Sequence, residues 1–162
     1  MVTQKSRSVT LRFLAQPTDV NFGGHVHGGS VMKWIDQAGY VCATGWCGNY
    51  CVTVYLGDLK FLSPIQIGDL IEVHAKVIYT GNTSMHISVE VEACNPKEAK
   101  LIKKASCIII FVSVDEKGNP KKVPSWEPSN NEDICLEYYA KQSVALKKDM
   151  DKELTSCLIK KS

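Results

Sequence analysis

Between Asn21 and Gly39 the chain reads NFGGHVHGGSVMKWIDQAG, four glycines and two histidines crowded in front of a segment with helical spacing. From Gly28 to about Thr44, the apolar residues Val31, Trp34, Ile35, Ala38 and Cys42 recur at intervals of three and four, and Met32, Gly39 and Ala43 widen the stripe. The spacing predicts a largely buried helix. One carboxylate, Asp36, lies inside it.

The segments around this helix read as strands. Upstream, Val9, Leu11 and Phe13 alternate with Thr10 and Arg12 until Pro17. Downstream, in CVTVYLGDLKFLSP, Val52, Val54 and Leu56 share one face, while Leu59 and Phe61 continue in the opposite phase. A bulge at Gly57-Asp58 would restore the apolar face. Leu70 to Tyr79 and Met85 to Ala93 alternate well and are joined by Thr80-Gly81-Asn82-Thr83-Ser84, the pattern of a long hairpin with a polar outward face from Glu72 to Glu92. SCIIIFVSV is apolar at nearly every position, which suits a strand covered on both faces or lying at a subunit contact.

Past Pro128, Ser129 and Asn130 are placed to cap a peripheral helix with a sparse stripe of Ile134, Cys135, Tyr138, Tyr139 and Leu146, fraying after Met150. The expected fold class is therefore α+β: a long central helix wrapped by an antiparallel sheet of about five to six strands, plus a C-terminal surface helix. That order is the hotdog architecture, since a doubly wound fold needs helices between successive strands. Residues 1–128 read as a single domain and 129–162 as a helical extension.

Composition narrows the function. With 44% hydrophobic and 22% charged residues in 162, the chain matches one globular domain, and no apolar run approaches a membrane span. MVTQKSRSVTLRF has no signal-peptide core, so a cytoplasmic protein is expected. Seven cysteines, odd in number and without a CxxC pair, read as reduced thiols. A net charge of +2 is too small to argue for a nucleic-acid partner. The basic pairs Lys103-Lys104, Lys121-Lys122, Lys147-Lys148 and Lys160-Lys161 read as solvated surface, although such pairs can meet phosphates.

No nucleophile elbow, P-loop or dinucleotide fingerprint is present. Free amides at a helix start attract anions and developing oxyanions, which makes Gly28 and Gly29 candidate donors to a carbonyl oxygen; the alternative is that they only let the chain turn into a packed helix. Asp36 lies eight residues beyond Gly28, about 12 Å along the axis, too far for both to meet one reacting atom in one chain. Two antiparallel helices from paired chains would bring Asp36 of one opposite Asn21 and Gly28-Gly29 of the other. The apolar and small neighbours of Asp36 predict a carboxylate near the core with a raised pKa, poised as a base, whereas an exposed Asp36 would merely pair with Lys33. His25 and His27 with Cys47 and Cys51 match no standard zinc spacing, so no metal is expected, and His27 is placed to bond a neighbouring backbone.

TDVNFGGHVHGGSVMKWIDQAG and CVTVYLGDLKFLSPIQIGDLIEVHAKVIYTGNTSMHISVEVEA together resemble the hotdog-fold acyl-CoA thioesterases, in the branch of the bacterial YciA-type enzymes and the cytosolic acyl-CoA hydrolases of animals. The resemblance runs from about residue 8 to residue 115. It is carried by the Asp-x-Asn lead, the HGG entry, the Asp of MKWIDQAG, the FLSPxxxGD turn and the GNTSM turn, in order.

The resemblance implies hydrolysis of an acyl-CoA thioester to a free acid and coenzyme A without a required cofactor. It implies Asp36 as the catalytic carboxylate, Asn21 as its polar partner from the other subunit, and Gly28-Gly29 as holders of the thioester oxygen. Coenzyme A would lie along Val52, Thr53 and Val54 and at Asn82, Thr83 and Ser84. The expected assembly is a homo-oligomer, a dimer at least and a hexamer built as a trimer of dimers in the family. Many relatives carry a basic residue where Asn82 stands, which shifts the pyrophosphate contacts to Lys60 or to a lysine of a neighbouring subunit. The tail after Pro128 lies outside the resemblance. Rival readings are a hotdog hydratase or dehydratase, which would want a His base, and a non-catalytic acyl-CoA sensor.

Overall fold

The computed structural model describes residues 5–159. Strands β1 (Ser8–Leu14), β2 (Cys51–Phe61), β3 (Leu70–Thr80), β4 (Ser84–Cys94) and β5 (Ile102–Ser113) form one antiparallel sheet in the order β1-β3-β4-β5-β2. Helix α1 (Gly28–Cys47) packs on one face, and α2 (Asn131–Ile159) lies against β3 on the other. This is the hotdog fold, with five strands.

The period-three-and-four stripe forms α1 as expected, and Val31, Trp34, Ile35, Ala38, Gly39, Cys42 and Ala43 are its buried residues. They meet Ile71, Val73, Ile87, Val89, Ile109 and Phe111 from the central strands. Gly39 allows this close approach: a Cβ there would lie 2.7 Å from the Phe111 ring and 3.0 Å from Ile109. The helix runs three residues past the expected end and stops at Gly48, whose left-handed φ of 69° lets its amide donate to the Thr44 carbonyl. Met32, expected in the stripe, is exposed, because it lies one residue round the helix from the buried set.

The phase slip in β2 is a real irregularity. Its pairing with β5 shifts between Gly57 and Lys60, around Asp58 at a φ of 54°, and also between Thr53 and Tyr55. The β3–β4 hairpin forms as read, but its outward face is not uniformly polar and wet: Glu72 and His86 are buried. Arg12 on β1 pairs with Glu72, and burial against Tyr79 pushes the His86 imidazole down to about 4.

Asn130 caps α2 by accepting the Asp133 amide. The stripe read from the sequence does not dock: Ile134, Tyr138, Tyr139 and Leu146 are exposed, and the buried residues are Asp133 and Ala140. Ala140 is small enough to rest on Ile78 and Ile108, while Asp133 accepts two bonds from the Arg7 guanidinium, at 3.0 and 2.5 Å, which holds its carboxyl below the usual range. Nor does α2 end at Met150; it is helical to Ile159, and Lys160-Lys161 lies outside the described residues.

Candidate active site

The loop before α1 is pinned by its backbone. The Asn21 amide donates to His25 (2.7 Å), Val26 to Ile65 (3.0 Å) and His27 to Asp19 (2.6 Å). The side-chain oxygen of Asn21 accepts the amides of Gly23 (2.8 Å) and His25 (3.3 Å), so the loop fixes its orientation while its NH2 group has no partner among the described residues. Asn21, His25, Gly28, Phe61 and Lys104 line a cavity of about 430 Å³ at the helix start.

The two glycine amides differ. His27 is the N-cap, its Nδ1 accepting the Gly29 amide at 2.8 Å, as its place beside the helix start suggested. The Gly29 amide therefore already has an acceptor within the chain. The Gly28 amide has no partner among the described residues, and Gly28 lines the cavity.

Asp36 is exposed, against the expectation that it would lie near the core. Its sequence neighbours Trp34 and Ile35 turn inward, but a helix rotates about 100° per residue and carries Asp36 out of their stripe. Lys33 forms no ion pair with it among the described residues. Its partner is Thr53 on β2, whose hydroxyl donates to Asp36 Oδ1 at 2.6 Å. Two turns of α1 separate this pair from Gly28, and Asp36 does not line the cavity at the helix start. Thr53, read from the resemblance only as a coenzyme A contact, thus also orients the carboxylate; no sequence pattern signals a contact made by folding α1 onto an edge strand.

The remaining expected residues fall into two places. Val52 and Ser84 both pair with Val112 of β5, so β2 at 52–54 and the turn at 82–84 share one end of the sheet, two strand spacings or about 10 Å apart. Lys60 lies at the other end of β2, opposite Ser106, about 26 Å from Val52, so one chain does not bring it to that turn. Two cations do reach this end: Lys121, which donates to Asn49 Oδ1 at 2.7 Å, and Lys117; both line a cavity with Val52.

His25 and His27 do not meet Cys47 and Cys51. His27 caps the first turn of α1 and Cys47 ends its last, nearly 30 Å away. A different set, Glu72, His74 and Glu92, brings its ligating atoms within 4.8 Å of one another on the outward face of the sheet, where Arg12 and Thr10 complete a polar network around it.

Comparison with known proteins places the chain. Residues 23–100 match the family model of the thioesterase superfamily. The VdlD protein of Helicobacter pylori is 31% identical over 132 residues, 82% of this chain and 75% of VdlD, and the acyl-CoA thioester hydrolase YciA of Salmonella typhimurium is 31% identical over 119 residues, 72% of this chain and 90% of YciA. An apo-hexameric acyl-CoA thioesterase superposes with a TM-score of 0.85 at 29% identity, over 90% of this chain and 93% of its own. The acyl-CoA hydrolase of Staphylococcus aureus, solved with butyryl coenzyme A, coenzyme A and coenzyme A disulfide, superposes at 0.82 with 27% identity, over 94% and 93%. Such coverage takes in α2, so the structural likeness extends beyond Pro128. The chain belongs to the thioesterase superfamily, among the hotdog-fold acyl-CoA thioester hydrolases of the YciA kind. Structures of the S. aureus enzyme include Ala variants of an Asn, an Asp and a Thr spaced 15 and 17 residues apart, the spacing of Asn21, Asp36 and Thr53 here.

Proposed function

We propose that this chain hydrolyses acyl-CoA thioesters to a carboxylic acid and coenzyme A, at a site that two chains build together. The observation that carries the reading is the Thr53–Asp36 contact on the open face of α1, in a chain whose Asn21, Asp36 and Thr53 repeat the spacing of the residues replaced in the S. aureus hydrolase. Asn21 and Gly28 stand at the helix start and Asp36 two turns along, so a second, antiparallel α1 is needed to bring the two halves to one thioester. β2 is an unpaired edge of 11 residues with Tyr50 and Val54 exposed beside it, the kind of edge a partner strand covers. A homodimer joined there, and a hexamer as a trimer of such dimers, fits the hexameric relatives.

In the reaction, the free Gly28 amide at the positive end of α1 stabilises the oxyanion that develops on the thioester carbonyl, and the Asn21 NH2 group orients the carbonyl or the water. Asp36, held by Thr53, activates water or attacks the acyl carbon itself. Coenzyme A lies along 52–54 and the 82–84 turn, with Lys121 nearest its pyrophosphate. The residues required are this chain's own, with coenzyme A as part of substrate and product; the catalytic domain is residues 1–128 and the setting is the cytoplasm, in fatty acid metabolism. His27 spends Nδ1 on the Gly29 amide, which weakens the hydratase reading.

A thiol-release assay over a panel of acyl-CoAs tests this. Release that disappears in Asp36→Ala supports hydrolysis; loss of a double bond without thiol means hydration, and binding alone means a sensor. Oxygen-18 incorporation in a single turnover separates nucleophilic from general-base attack.

A further inference from the structure

Cys47 is the last residue of α1 and Cys51 the first of β2, and the turn between them, Gly48-Asn49-Tyr50, folds back tightly. Their sulfurs lie 3.3 Å apart, within contact distance, and the Asn49 carbonyl oxygen lies within hydrogen-bonding distance of each, at 3.7 and 3.4 Å. A disulfide needs about 2.05 Å between sulfurs, so closing the bond asks for little more than 1 Å of movement around a turn that already converges. No reaction described above uses either thiol.

We propose that Cys47 and Cys51 form a reversible intrachain disulfide, with Cys47 as the attacking thiol and Cys51 as the resolving one. The oxidant is a small-molecule disulfide, RSSR. The Cys47 thiolate attacks one of its sulfurs; a bond forms between Cys47 and that sulfur, the RS–SR bond breaks, and one RS⁻ leaves and takes up a proton. The Cys51 sulfur, losing its own proton, then attacks Cys47 Sγ and expels the second RS⁻. Two protein thiols are oxidised to one disulfide, and one RSSR is reduced to two RSH.

The division of labour follows from the surroundings. Cys47 is half-buried, and the Cys51 thiol donating to it draws its pKa well below the ordinary thiol range, whereas Cys51 is buried and is held protonated by that same contact. The other cysteines lack this arrangement. Burial pushes the Cys42 and Cys107 thiols up to about 12, and Cys135 and Cys157 lie 22 residues apart on α2, about 33 Å, too far to pair in one chain. The bond would tie the end of α1 to the start of β2, the two elements that hold Asp36 against Thr53.

The test uses the full chain with Cys135→Ser and Cys157→Ser, so that exposed thiols do not react. Equilibrated with glutathione disulfide, the native protein is expected to lose two alkylatable thiols and the mass of two hydrogens, to give one linked peptide joining 47 and 51 in non-reducing mass spectrometry, and to recover both thiols with a dithiol reductant. Cys51→Ser in this background should stop at one glutathione on Cys47. The proposal is overturned if both thiols stay free in the native protein under conditions that oxidise the unfolded chain, or if the linkage that forms joins two chains. Neither outcome depends on hydrolase activity.

Discussion

The two helices are attached to the same sheet by opposite means. α1 buries seven residues in the core, whereas α2, nine residues longer, buries only Asp133 and Ala140 and is tied to the sheet by polar contacts, Arg7 to Asp133, Lys76 to Glu132 and Tyr139 to Asp58. Apolar burial is worth about 25 cal/mol per Å², so the inward residues of α1 hold it in place and leave its outward face free to carry chemistry at little cost to folding. An anchor made of a few polar pairs and one small buried residue puts the position of a whole helix on a handful of side chains.

That contrast can be broken from either side. The largest effect is expected on the outward face of α1: Asp36→Ala should lower kcat about 10²–10⁴-fold while the unfolding free energy falls by no more than about 1 kcal/mol, since the carboxylate is exposed and loses only its bond from Thr53. A comparable loss of stability measured by urea unfolding would mean that Asp36 is structural. For α2 the effects invert. Arg7→Ala leaves the buried Asp133 with its Ser129 bonds but without its cation and should cost about 3 kcal/mol in urea unfolding, with the protein still hydrolysing substrate at temperatures where it is folded.

Under the α2 side of the sheet, His86 makes stability pH-dependent. Its folded pKa of about 4 lies below the ordinary value of 6.5, so between these values the unfolded chain binds the proton and the native one does not. This contribution is intact above about pH 6.5 and is lost as pH falls towards 4, roughly 3 kcal/mol across the window. His86→Asn should flatten that part of the stability profile, and an unchanged slope would show that the imidazole is solvated. The smallest effect tests the inward face of α1: Gly39→Ala presses a methyl group onto Phe111 and should cost about 1–3 kcal/mol with little change in KM.

The same contrast explains what the sequence made legible. α1, the hairpin and the bulge at Gly57-Asp58 follow from apolar periodicity, because a residue's place in the period fixes whether it faces the core. The docking of α2 does not, because Arg7 and Asp133 are 126 residues apart and Ala140 earns its place by being small. Within the site, Asn21, Gly28 and Asp36 stand out as polar or open positions beside a buried helix. The exposure of Asp36 does not follow from its sequence neighbours, which are not its neighbours on the helix. Its bond to Thr53 and the capping of Gly29 depend on tertiary and cap geometry that residue types alone do not specify.

Everything proposed for the reaction rests on one carboxylate meeting the amide-rich loop of another molecule. Purified Asp36→Ala and Asn21→Ala proteins, each inactive, should regain about one quarter of the wild-type rate when unfolded together, refolded and assayed as an equal mixture, because random pairing into two-fold dimers gives half mixed dimers with one intact site in two. If the mixture stays as inactive as its components while mixed dimers are shown to form, both residues act from one chain and the shared site is wrong.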